Sequence, residues 1–90
     1  MKKHFTIRIS GMVQGVYFRA STKEKADALN ISGLVRNEPD GSVYVEAEGA
    51  GEDLKKFIDW CHRGPSRADV AECKIQEGAL RNYEGFIINR

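Results

Sequence analysis

Phe5, Ile7 and Ile9 alternate with Thr6, Arg8 and Ser10 near the start of the chain. A period of two marks a half-buried strand, expected over residues 4–10 and ended by Gly11. After a glycine-containing stretch the period lengthens. Phe18, Thr22, Ala26 and Leu29 recur at helical spacing, with Lys23, Glu24 and Lys25 outward. This predicts an amphipathic helix over 18–29, broken by Asn30 and Gly33. Leu34–Asn37 and Ser42–Glu48 then flank Glu38-Pro39-Asp40-Gly41. Proline presets φ, aspartate offers a local acceptor and glycine tolerates positive φ, so the segment predicts a β-hairpin. Leu54, Phe57, Ile58 and Cys61 fall at i, i+3, i+4 and i+7, which predicts a second helix over 51–62 stopped by Arg63-Gly64-Pro65. Ala71, Cys73 and Ile75 alternate with Glu72, Lys74 and Gln76 as a fourth strand. A short final strand is expected at Phe86-Ile87-Ile88.

The order β-α-β-β-α-β predicts an α+β, ferredoxin-like sandwich: an antiparallel sheet with two helices packed on one face. Ninety residues predict a single domain, residues 1–90. The plan hosts RNA binders, metal carriers, regulatory modules and enzymes, so it does not decide function. Charge narrows the field. Fourteen Lys plus Arg against thirteen Asp plus Glu leave a net +1, without the basic footprint of a protein held to nucleic acid by charge. Cys61 and Cys73 have no C-x-x-C spacing and no paired histidine, which predicts free thiols, no disulfide scaffold and no metal site. The N-terminus lacks the apolar region of a signal peptide, and no run approaches a membrane span. A cytoplasmic protein with no membrane partner is the expectation.

The chemistry concentrates in Gly11-Met12-Val13-Gln14-Gly15-Val16-Tyr17-Phe18-Arg19, between the first strand and the first helix. Backbone N–H groups there can form an anion-binding nest, and the helix N-terminus adds partial positive charge. Arg19 sits in the first helical turn, where a cation is mildly unfavourable by about 0.3–1 kcal/mol. A bound anion would reverse that sign; an ordinary turn with an exposed arginine is the plainer alternative. The stretch is not a P-loop, since no Gly-Lys-Ser/Thr follows.

Ile9 through Arg19 closely resembles the first signature of the acylphosphatase family. Gly33-Leu34-Val35-Arg36-Asn37, then Asp40-Gly41-Ser42-Val43 and Gly49, resembles its second. The likeness continues through Gly64-Pro65 and Glu84-Gly85-Phe86, so it covers nearly the whole chain. One position departs: Leu34 stands where the family usually has an aromatic residue, a place expected to serve packing. The resemblance implies the ferredoxin-like fold and hydrolysis of acyl phosphates to a carboxylate and inorganic phosphate, with neither metal nor cofactor. It implies that Arg19 binds the phosphoryl group and Asn37 positions the attacking water. It also implies that the backbone amides of Gln14, Gly15, Val16, Tyr17 and Phe18 cradle the phosphate oxygens.

Other residues are expected to be quieter. His4 and His62 are isolated in sequence and read as surface or structural. Alternation turns Arg36 away from the Asn37 face. Tyr17 is a candidate for the acyl end of a substrate, Phe18 for the core, and Trp60 for a half-buried edge. Two other functions suit the same plan: a non-catalytic module that captures phosphate or acyl phosphate for a partner, and a single-stranded RNA binder. The latter is disfavoured, because the central strands lack the aromatic run on which bases stack. A monomer acting on a small molecule is the expectation.

Overall fold

The computed structural model describes residues 1–89. Its elements are β1 (Lys2–Met12), α1 (Phe18–Ala28), β2 (Ser32–Asn37), β3 (Val43–Ala50), α2 (Gly51–Arg63), β4 (Asp69–Gly78) and β5 (Phe86–Ile88). The strands form one sheet in the order β4-β1-β3-β2-β5. The first four pair antiparallel, as expected. β5 departs from that expectation by running parallel to β2, so the sheet is mixed. The chain reaches β5 by crossing over after β4, and that return lays it along β2 in the same direction.

Alternation divides the sheet into two faces. Ile7 pairs with Val45 and Ile9 with Val43, and all four are fully buried beneath the helices. Phe18, Thr22 and Ala26 of α1 and Leu54, Phe57 and Cys61 of α2 close over them. The other face carries His4, Thr6 and Arg8 against Glu48, Glu46 and Tyr44. α2 places Glu52 and Asp53 in its first turn and His62 and Arg63 in its last, each favourable to the helix dipole. Gly64 ends it at φ 69. No helix among the described residues is long and apolar enough to cross a membrane.

Two glycines behave differently from their sequence reading. β1 does not end at Gly11 but continues to Met12, with a register irregularity between Ser10 and Gly11 opposite β4. Gly11 adopts φ +125, and a Cβ there would run into the Asp69 carbonyl and sit 2.7 Å from Ala71 N. It is a bulge residue rather than a terminator. Gly33 lies within β2, beyond the break after α1. At φ +142 its bare Cα faces the Glu46 carbonyl of β3 so closely that a Cβ would overlap it.

Candidate active site

Two buried side chains pin the loop between β1 and α1. Val13 is buried at its start and Phe18 at its end, where the Phe18 ring packs on Trp60 with centroids 5.6 Å apart. Between these anchors the backbone must turn sharply. Gly15 takes φ 75, and Tyr17, the N-cap of α1, takes φ 60 and ψ 25 with its side chain 75% exposed. A tyrosine held left-handed costs on the order of 1–3 kcal/mol, and such strain clusters at ligand sites. α1 begins without a side-chain cap and without an acidic residue in its first turn. Its N-terminus therefore keeps its partial positive charge toward the loop.

Register brings the second half of the site. Asn37, the last residue of β2, pairs with Val43 and so shares the face that packs on the helices. Arg19 and Asn37, separate in sequence, line one open cleft of about 730 Å³. Gly15, Tyr17 and Phe18 join them, with Val13, Ala20 and Ile88 completing the walls. Among the described residues, no carboxylate pairs with Arg19, whereas Arg8, Arg36 and Arg81 all have acidic partners. The Asn37 amide likewise has no hydrogen-bond partner among them. Both groups face the cleft with their full donor complement.

Not every residue singled out from the sequence lines the cleft. Val16 is half-buried against the core, and Gln14 turns its side chain away. Gln14 Nε2 donates to the carbonyls of Glu38 and Ser42, each at 2.9 Å. Ile88 was visible in the sequence only as part of a final strand; it reaches the cleft because β5 docks parallel on β2 opposite Val35. Leu34 lies on the face remote from the cleft, beside Ile87, and takes no part in it. Trp60 is half-buried, and Arg36 stacks on Tyr44 at 4.5 Å on the open sheet face. No group of three or more His, Cys, Asp or Glu side chains among the described residues could hold a metal ion.

His62 is exposed and donates from Nδ1 to the Ile58 carbonyl at 3.0 Å. His4 is buried, with Nδ1 2.8 Å from Glu48 Oε2 and Nε2 3.2 Å from Glu46 Oε1. Glu48 also accepts the backbone N–H groups of Arg81 and Tyr83. Burial pushes the Glu48 carboxyl up, but those two amides and the His4 ring outweigh it and hold the group below the ordinary carboxylate range. Both cysteines are free, and burial raises both thiols; Cys61, with Cys73 as a further cause, lies well above the usual value.

The fold and the cleft together define a small ferredoxin-like protein whose cationic, amide-rich loop faces a strand-borne asparagine. The acylphosphatase family model matches residues 5–88. An acylphosphatase from Marinobacter nauticus is 55% identical over 69 residues, 77% of this chain and 75% of the relative. The structure superposes on the crystal structure of acylphosphatase from Bacillus subtilis with a TM-score of 0.95 and 31% identity, covering 100% of both chains. It also matches 12% of full-length HypF in its phosphate- and nucleotide-bound form, with a TM-score of 0.90 and 29% identity over 100% of this chain. The chain belongs to the acylphosphatase family.

Proposed function

We propose that this protein is an acylphosphatase that hydrolyses the carboxyl–phosphate bond of acyl phosphates through Arg19 and Asn37. The observation that carries this reading is their meeting in one cleft beside a left-handed, amide-rich loop. Arg19 offers a planar fork that matches two phosphate oxygens, which a lysine cannot. The backbone amides of Gln14 through Phe18 cradle the remaining oxygens. In a loose phosphoryl-transfer transition state charge resides on the equatorial oxygens, where these donors act. Asn37 holds the attacking water in line through its carbonyl oxygen and NH₂ group, but it cannot deprotonate it. Water's oxygen bonds to phosphorus, the bond from phosphorus to the acyl oxygen breaks, and the proton passes to a phosphate oxygen. The leaving carboxylate is already a good leaving group, so no general acid is required. The protein works as a cytoplasmic monomer on a small-molecule substrate, releasing inorganic phosphate.

Phosphate release from benzoyl phosphate tests this. Arg19→Lys is expected to lose most of the activity, and a chelator to leave the wild-type rate unchanged. A normal rate in Arg19→Lys, or chelator sensitivity, refutes the mechanism. The match to a segment of HypF favours a second reading, an acyl-phosphate-binding module serving a partner protein. Tight phosphate binding without turnover would select it.

A further inference from the structure

We infer that Gln14 is a positioning residue: its side-chain amide locks the loop before α1 to the hairpin turn after Asn37, setting the distance between phosphoryl site and water. The inference rests on the acyl-phosphate reading. Gln14 lies between buried Val13 and left-handed Gly15, at the start of the loop. Its Nε2 donates one hydrogen to the Glu38 carbonyl and one to the Ser42 carbonyl, both at 2.9 Å, across 24 and 28 residues of chain. Two carbonyl acceptors fix the NH₂ end of the amide there, since its oxygen would repel both.

The turn that receives these bonds is itself well braced. Glu38 N–H donates to the Ser42 carbonyl at 2.8 Å and Gly41 N–H to the Glu38 carbonyl at 3.1 Å. Asp40 Oδ1 accepts from the Ser42 amide at 2.9 Å and the Ser42 hydroxyl at 2.6 Å. Arg8 and Arg36 both pair with the Glu38 carboxylate, at 3.7 and 3.5 Å. Glu38 is the residue directly after Asn37, so the first Gln14 bond ends one residue beyond the water-holding amide. The two halves of the cleft come from different parts of the chain, and among the described residues Gln14 is the side chain that hydrogen-bonds one to the other. Phosphate binding uses the loop and Arg19 alone; in-line attack needs the loop and Asn37 in register.

The test is Gln14→Met, which keeps the backbone amide and the volume but has no donor. It is compared with the wild type and with Asn37→Ala, and Gln14→Glu, of equal length, forms a second arm. In both Gln14 variants kcat for benzoyl phosphate should fall roughly tenfold to a hundredfold, the scale of a 1 Å misplacement. In Gln14→Met, which adds no charge, the inhibition constant of inorganic phosphate should stay within about twofold. In the Asn37→Ala background Gln14→Met should change kcat by less than about twofold, because the residue through which it acts is gone. Hydrogen exchange at the Glu38 and Gly41 amides should accelerate in the unliganded Gln14→Met protein, independently of any activity. Unchanged exchange, an unchanged kcat in both variants, or an equal loss in the Asn37→Ala background overturns the inference. A wild type without turnover but with exchange that responds to Gln14→Met would instead remove the acyl-phosphate reading and leave the clamp standing.

Discussion

Glu48 offers a sharp test of how the open face of the sheet is held. The side chain is fully buried, and its two oxygens accept from His4, Arg81 N–H and Tyr83 N–H. Glu48→Gln keeps the size and replaces one oxygen with a donor. Whichever way the new amide turns, at least one of those three donors loses its acceptor and faces an N–H. An orphaned buried donor costs about 1–3 kcal/mol, and losing the charge-assisted share adds to it. The expected destabilisation is about 2–4 kcal/mol at pH 7, read by urea unfolding. Acid should erase the difference. The folded carboxyl is held below its ordinary value, so in the acidic range the unfolded chain binds more protons and stability rises with pH. The contribution is complete above the unfolded value and is lost as pH falls through the folded one. The gap between wild type and Glu48→Gln should therefore narrow as pH falls below the ordinary carboxylate range. A gap under about 0.5 kcal/mol at pH 7, within the scatter of ordinary surface substitutions, or one that widens in acid, refutes the assignment.

Asn37→Ala should lower kcat by about a hundredfold or more while phosphate inhibition changes little, since water placement is a transition-state contribution; steady-state kinetics with phosphate as inhibitor decides it. Gly33→Ala should cost at least about 2 kcal/mol, because φ +142 is strained for a side chain and the Cβ meets the Glu46 carbonyl; thermal unfolding reads the loss, and a Tm equal to wild type contradicts it. Cys61 should react with a disulfide reagent only on unfolding, and Cys73 slowly in the native state, because burial raises both thiols; rapid native labelling of both would contradict it.

The periods of two and 3.6 located the elements because each buries one face, and Arg19 and Asn37 were singled out by the two stretches that resemble the family signatures. What escaped the sequence was set by partners far along the chain. Gly11 reads as a terminator, yet the approach of Asp69 and Ala71 makes it a bulge. The ends of β4 follow from its pairing along β1, from His4 opposite Gly78 to Met12 opposite Asp69, and its exposed residues carried only a weak pattern. The parallel docking of β5, and with it Ile88, depends on the route after β4, which three residues cannot encode. His4 reads as an isolated histidine until β1 pairs with β3 and sets it opposite Glu48. Gln14 reads as one more loop amide, because the carbonyls it grips are backbone groups and leave no trace in composition.

The walls of the cleft come from the loop after β1, the first turn of α1, the end of β2 and the last residue of β5. No contiguous half of the chain holds them all. Contacts between segments so distant cost loop-closure entropy before they are rewarded, which slows folding as a whole. Turnover is thus a probe of the whole chain at once: in a cooperative domain of this size helical signal, tryptophan burial and activity should return together on refolding.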